Sequence, residues 1–398
     1  MRQECRACGG RSLETVFDFG PMPLAGGFLS GRDAIASEQR FPLQVHVCGT
    51  CALVQILDPI DPDILFRDYA FSSSTVGPLV QHFDAYAEWL VQRFKPSRVV
   101  EFGCNDGILL APLQARGVTA LGVDISENIT TMAREKGLDV MTGYFDASTA
   151  AAIVSRLGKV DVVTGSNAFA HNDRPDVILE AARTVLSDSG RVCLEVMYAG
   201  DLLEQLQWDT LYHEHLTFYS LSSLQVLLNR YDFEVEHAER IPMHGGSLRV
   251  SAVRRGRAAQ AASVAEVLEF ERTSGIDQAS TWLDFGKSIV RKIDVAKWTF
   301  GELGRTKRIW GYGAAGKATM WVNACEMDYL QGMVDASPLR AGKLMPGTHT
   351  PILFPAEFQK ANPDYVFITA WNYAGVITAK ESWYDGVWSV PLPDLRFF

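Results

Sequence analysis

Leu79, Phe83, Tyr86, Leu90 and Phe94 fall at spacings of four, three, four and four, the repeat of an amphipathic helix. A strand–turn–helix alternation follows. The run Arg98–Phe102 predicts a strand, and Gly103 turns it into a helical segment carrying Leu109, Leu110 and Leu113. Further strands are predicted over 118–125, 160–164 and 191–196, with a helix over 129–135. Runs over 234–241 and Ser247–Arg254, joined by Met243-His244-Gly245-Gly246, read as an antiparallel pair closing the sheet. Strands alternating with helices imply a mostly parallel sheet covered on both faces.

Trp282, Phe285, Ile289, Ile293, Ala296, Phe300 and Leu303 keep helical spacing, which predicts one long connecting helix. A second strand–helix series begins at 308–313 and continues at 332–335 and 365–370. The first 72 residues lack helical period and are rich in Pro, Gly and Cys, with short strands at 14–19 and 44–47. The expected fold is therefore α/β in four parts. A small N-terminal domain spans 1–72, a Rossmann-like domain 73–257, a helical connector 258–304 and a second Rossmann-like α/β domain 305–398.

Composition narrows the function classes. Apolar residues make up 47% and charged residues 21% of the 398, enough for sizeable cores and unlike a disordered chain. The net charge of −10 disfavours nucleic acid and anionic membranes, whose binding rests on phosphate neutralisation. No run reaches the ~18 apolar residues of a bilayer span, and the opening residues show no apolar leader. Seven cysteines without a secretion signal point to a reducing compartment. A monomeric cytoplasmic protein acting on a small molecule is expected.

Cys5-x-x-Cys8 and Cys48-x-x-Cys51 are two short knuckles 39 residues apart. Such turns can aim four thiolates at one zinc ion, and a site with all four positions filled is structural rather than catalytic. Cys104, Cys193 and Cys325 sit on or beside strands, where burial is the ordinary reading.

The turn Glu101-Phe102-Gly103-Cys104-Asn105-Asp106-Gly107 follows a strand and opens a helix. Gly103 and Gly107 would let a ligand approach the backbone. Asp124 lies 21 residues after Gly103 at the next strand end, placed to accept ribose hydroxyls. A dinucleotide or S-adenosylmethionine fits that plan. The dinucleotide fingerprint needs a middle glycine where this loop has Asn105 and Asp106. Carboxylates repel a pyrophosphate and suit the sulfonium and ammonium of S-adenosylmethionine, so charge sign selects the methyl donor. Ile125, Phe145 and Asn167 are expected to complete its site.

The C-terminal segment Gly311-Tyr312-Gly313-Ala314-Ala315-Gly316-Lys317 is a full G-x-G-x-x-G after a strand, with Asp335 19 residues beyond Gly316. Read alone it says NAD-dependent oxidoreductase. Lys317 suits a diphosphate without requiring nicotinamide chemistry, and Trp371 and Asn372 would face the same crevice. A zinc-binding interaction protein without catalysis is a third reading, against which the intact acidic loop argues.

Tyr212-His213-Glu214-His215 and His244-Gly245-Gly246-Ser247-Leu248-Arg249 concentrate histidine, and His171 follows Asn167 closely. In an extended segment His213 and His215 would diverge, which disfavours a metal there. With the zinc knuckles, the Glu101–Gly107 turn and the C-terminal glycine motif, these segments make the chain resemble the S-adenosylmethionine-dependent C-methyltransferases that act on nucleotide-linked keto-deoxysugars. The likeness covers nearly the whole chain. It implies methylation of the carbon next to a ketone, usually C-3 beside a C-4 carbonyl, in deoxysugar and antibiotic biosynthesis. It further implies His215 as base, supported by Glu214, with Tyr212 and His171 near the carbonyl and Tyr69 reaching the pocket. His244, Ser247, Arg249, Lys317, Trp371 and Asn372 would contact the sugar nucleotide. A relative that has moved to a non-sugar ketone would look the same.

Overall fold

The computed structural model describes residues 2–67, 69, 71–257 and 259–398. Asp68 and Ala70, which flank Tyr69, and the expected linker start at 258 lie outside the described residues.

Arg98–Phe102 buries four of its five residues, and a strand apolar on both faces belongs inside a parallel sheet. It pairs in parallel with Thr119–Asp124 and Val160–Ser166. Val140–Thr142 and Leu186–Met197 extend the sheet on either side. Ser247–Arg254 and Phe233–Ile241 close it antiparallel, giving seven strands. Helix Gly77–Phe94 buries Leu79, Phe83, Tyr86 and Leu90 on one face, the stripe that its spacing predicts.

Leu13–Pro23, Arg40–Cys48 and Val54–Ile56 form an antiparallel N-terminal sheet. Its fourth strand, Thr217–Phe218, comes from the middle of the chain. Two residues are too few to show a period, so the sequence offers no sign of it. This pairing brings the Tyr212–His215 segment against the N-terminal sheet. The third sheet has six strands, the first five parallel, around Ile309–Tyr312 and Tyr365–Ile368.

The long helix expected from Trp282 to Leu303 is Ala279–Gly304, and another helix precedes it in the connector. Ala262–Ser274 ends at Gly275, whose φ of 70° terminates it, and Ala279–Gly304 follows. The second helix buries Trp282, Phe285, Ile289 and Phe300 in a core shared with Val16 and Val45 of the N-terminal sheet and Ile309 and Met333 of the third. One apolar core thus joins the two ends of the chain. Polar ties reinforce it: Thr319 Oγ1 donates to the Ala25 carbonyl at 3.1 Å, and Glu38 accepts from His349 at 2.8 Å and from the Gly347 amide at 2.7 Å. Among the described residues no helix is long and apolar enough to cross a membrane.

Gly286 lets the long helix touch the sheet, since a Cβ there would lie 2.0 Å from the Val16 carbonyl oxygen. Gly286→Ala is expected to lower stability by about 1–3 kcal/mol, the usual range for overpacking. An unchanged denaturant midpoint would contradict this account of the contact.

Candidate active site

The four knuckle thiols converge. Their sulfurs all lie within 4.8 Å of one another, with Cys5 and Cys51 at 3.6 Å and Cys8 and Cys48 at 3.5 Å. A disulfide needs about 2 Å, whereas tetrahedral zinc at ~2.3 Å from each sulfur spaces them about 3.8 Å apart. Backbone amides of Gly10 and Thr50 point at Cys8 and Cys48 at 3.3 and 3.4 Å, supporting thiolates. The residues fit a structural zinc. Cys104, Cys193 and Cys325 are buried apart from them.

A cavity of about 780 Å³ is lined by strand ends of the seven-stranded sheet and by loops and helices that flank the other two sheets. One end lies at the carboxyl ends of parallel strands, where open α/β sheets bind ligands. Glu101, Asp124, Ile125, Phe145, Ser166 and Asn167 line it. Phe145 stacks on Phe102 with ring centroids 5.5 Å apart. Three buried polar atoms here have no partner: Glu101 Oε2, Ser166 Oγ and Asn167 Oδ1. Burial pushes the Glu101 carboxyl well up, with Asp124, Glu195 and Asp106 adding to it. A cation entering beside Glu101 would reverse that shift, so the donor set fits S-adenosylmethionine. Ser166 is absent from the sequence reading; only its place at a strand end marks it.

Not all of the expected donor residues face this space. Asp106 and Gly107 do not line the cavity. The Asp106 carboxylate is taken by Ser72 and Ser74 hydroxyls and by Lys136 at 3.0 Å. Asn105 lines the wall, but its side chain accepts from the Ser73 amide at 2.9 Å and donates to the Phe71 carbonyl at 3.1 Å. Both therefore strap residues 71–74 across the cavity. Gly103 lines it too, yet a Cβ there would lie 2.3 Å from Ala168 Cβ, so packing of the chain itself already demands glycine. Asp124 accepts the Asn105 and Ser126 amides, each at 2.9 Å, which leaves carboxylate lone pairs over.

Tyr69, His171, Tyr212, Glu214 and His215 also line the cavity. The ring of His215 lies 4.0 Å from that of Tyr212 and 5.0 Å from that of His171. His215 Nδ1 is 2.6 Å from the Thr210 carbonyl. A carbonyl only accepts, so Nδ1 carries the proton and Nε2 holds the free lone pair. Burial, with His171 nearby, holds this imidazole well below its ordinary value, and His171 is pushed down to about 4. Glu214 does not hold His215. It accepts from the Tyr69 phenol and the Gly26 amide, and burial raises it to about 7. His213 turns away to the Phe41 carbonyl at 3.2 Å, although the segment is a turn closed by the His215 amide on the Tyr212 carbonyl at 2.9 Å and not the extended run assumed from sequence. Among the described residues the knuckles alone form a metal-type cluster.

The far end belongs to the third sheet. Lys317, Arg340 and Asn372 line the cavity, with His244 from the turn at Met243–Gly245. The buried Lys317 Nζ has no hydrogen-bond partner and sits 4.1 Å from the Trp371 ring centroid. Trp371 is therefore behind the lysine rather than in the cavity wall. His244 has a φ of 54° and is pushed down to about 4, chiefly by burial. Ser247 and Arg249 are not on the wall. Ser247 Oγ closes the His244 turn by donating to the Met243 carbonyl at 3.0 Å. Arg249 is spent on Glu195 at 2.6 Å and Glu239 at 3.0 Å, over the Tyr86 ring.

The C-terminal glycine motif does not fit a dinucleotide. A Cβ at Gly316 would lie 2.8 Å from Tyr212 Cζ, so the chain's own phenol occupies the approach that a pyrophosphate would need. Asp335, the expected ribose acceptor, is paired with Arg340 at 3.3 Å. Arg340 was not singled out in the sequence because it stands outside any motif, in the turn after that strand.

A chain with a zinc-type thiol cluster, a nucleotide-type sheet with an unpartnered carboxyl at its strand ends and a buried histidine in the same cavity has the parts of a methyltransferase. Comparison agrees. Residues 80–238 match a methyltransferase domain, 5–66 a zinc binding domain and 242–393 a C-methyltransferase C-terminal domain. The C-methyltransferase NovU of Streptomyces niveus is 32% identical over 99% of this chain and 96% of its own length. A ubiquinone biosynthesis O-methyltransferase of Methylococcus capsulatus is 34% identical over only 24% of the chain and 41% of its own length. Magnesium protoporphyrin IX methyltransferase of Synechocystis, solved with S-adenosylmethionine, aligns with 44% of this chain and 79% of its own at 19% identity and TM-score 0.34. The chain belongs to the S-adenosylmethionine-dependent C-methyltransferases with an N-terminal zinc-binding domain.

Purified protein is expected to carry stoichiometric zinc by elemental analysis. Cys48→Ser, or a strong chelator, should lower the melting temperature with loss of the N-terminal sheet. Full stability without metal would contradict a structural site.

Proposed function

We propose that the protein methylates the carbon alpha to a ketone on a nucleotide-linked keto-deoxysugar, at C-3 beside a C-4 carbonyl. The observation that carries this reading is the unpartnered Lys317 ammonium sharing a cavity with an uncharged His215. A buried cation without a partner is costly, and an anionic acceptor such as a sugar nucleotide diphosphate offsets that cost. Glu101, Asp124 and Asn167 hold the donor at the opposite end, and S-adenosylmethionine bound there supplies an electrophilic methyl group.

His215 takes the alpha proton on Nε2, since Nδ1 is committed to Thr210. The enolate oxygen needs a donor, and burial keeps the Tyr212 phenol protonated, while the Tyr69 proton is engaged by Glu214. The carbanion so formed is the nucleophile. Ionised Glu214, in the same cavity, offsets the charge that His215 acquires. Arg340 and Asn372 line the end given to the diphosphate and nucleoside.

Incubation with S-adenosylmethionine and a panel of 4-keto-deoxysugar nucleotides is expected to yield a C-methylated product. His215→Ala should bind the donor normally and lose at least ~10²-fold in turnover. Absence of product across the panel, or normal turnover by His215→Ala, would overturn the reading.

The pH dependence follows from the same groups. Both His215 and Glu214 must be deprotonated, and Glu214, raised to about 7, titrates first as pH falls. The acid limb of kcat/KM for the acceptor should therefore lie near pH 7. In Glu214→Gln the activity is lower and the limb drops below the ordinary histidine range, set by His215 alone. A limb at the same pH in that variant would contradict the assignment.

A further inference from the structure

Asp209 lies buried one residue before the carbonyl that fixes the tautomer of His215. Its Oδ2 accepts two indole N–H groups, from Trp321 and Trp371, each at 2.8 Å. Both indoles belong to the third sheet's unit, on helix Gly316–Ala324 and the turn Trp371–Tyr373. The carboxylate belongs to the turn Trp208–Thr210. Trp371 in turn lies under the Lys317 ammonium. A neutral indole satisfies a carboxylate poorly compared with a cation, and Asp209 Oδ1 is left with no partner at all. For stability alone an amide would serve there as well. Burial raises the Asp209 carboxyl and lowers the Lys317 amine, and each opposes the other's shift, so within Coulombic reach the two favour each other's charged form.

We propose that Asp209 is a positioning residue, a single carboxylate that ties the acceptor-binding end of the cavity to the base. Through Trp371 it seats Lys317, and through the turn that it shares with Thr210 it holds the carbonyl that orients His215. Seating of the acceptor against Lys317 and readiness of Nε2 are then one mechanical unit. The inference rests on the proposed acceptor class for the role of Lys317, but the coupling of Asp209 to His215 does not. The groups facing Lys317 are Asp209, His215 and His244, with the Tyr212 phenol against the preceding Gly316.

Asp209→Asn keeps an acceptor oxygen and removes the charge, whereas Trp371→Phe keeps the ring under Lys317 and removes the donor. Asp209→Asn is expected to cost ~10–100-fold in kcat, as loss of groups that orient a reactive side chain does, with donor affinity unchanged. Without the charge Lys317 loses its proton at lower pH, so the alkaline limb of kcat/KM for the acceptor should move down. Trp371→Phe should act mainly on KM, and the double variant should be no worse than Asp209→Asn, since the two act as a unit. Variants that unfold at lower temperature but keep wild-type kcat, KM and pH limbs would reduce Asp209 to a structural residue and overturn the proposal.

A readout without acceptor separates this from the proposed function. The Nδ1 proton of His215, assigned by its loss in His215→Gln, should give a downfield resonance that shifts or broadens in Asp209→Asn. A resonance unmoved by that substitution overturns the coupling. A shift in protein that methylates no keto sugar would instead leave Asp209 in place and count against the acceptor class.

Discussion

A carboxylate oxygen and an ammonium, each buried without a hydrogen-bond partner in the same cavity, are the constraint on which the architecture turns. Glu101 Oε2 and Lys317 Nζ hold these positions. Burial pushes the Glu101 carboxyl up and the Lys317 amine down, each away from its charged form. A cation beside Glu101 and an anion beside Lys317 would restore those forms, the opposite demands of a sulfonium donor and the proposed anionic acceptor. Neither end could hold its station alone, because they stand on different sheets. The helix Ala279–Gly304 and the apolar core that it shares with the N-terminal and third sheets set their separation.

Between the charged ends, the segment Trp208–His215 is held from every side. Its Thr210 carbonyl takes the His215 Nδ1 proton, and its Tyr212 ring rests against Gly316. Thr217–Phe218, just beyond, is stitched to the N-terminal sheet. The zinc-bearing part therefore acts on the chemistry at a distance. It supplies the sheet edge on which the base segment is laid, and the Gly26 amide that Glu214 accepts. What this setting gives His215 is a fixed tautomer in a buried site.

Much of this was legible in the sequence, and the rest was hidden for identifiable reasons. Alternating strand and helix periods located six strands of the seven-stranded sheet, missing the three-residue edge strand Val140–Thr142, and the knuckle spacing located four converging thiols. Charge sign in the first glycine turn pointed to a cationic ligand through Glu101 and Asp106. It misassigned Asp106, whose carboxylate serves Ser72, Ser74 and Lys136, because a motif does not say which way a side chain faces. Arg249 and Ser247 went astray likewise: both sit in the His-Gly-Gly-Ser-Leu-Arg run, but a strand alternates its faces and Arg249 turns to Glu195. Glu214, adjacent to His215 in sequence, finds its partner in Tyr69. Long-range partners such as Thr217–Phe218, Arg340 and the two indoles on Asp209 leave no local pattern, since each is defined by a contact across units.

The central claim, that His215 removes the proton alpha to a ketone, is tested most directly without the methyl donor. A 4-keto-deoxysugar nucleotide incubated with the protein in deuterated water should exchange hydrogen at the alpha carbon well above the uncatalysed rate. His215→Ala should reduce that exchange to background while still binding the nucleotide. Exchange by the variant at the wild-type rate would contradict the account.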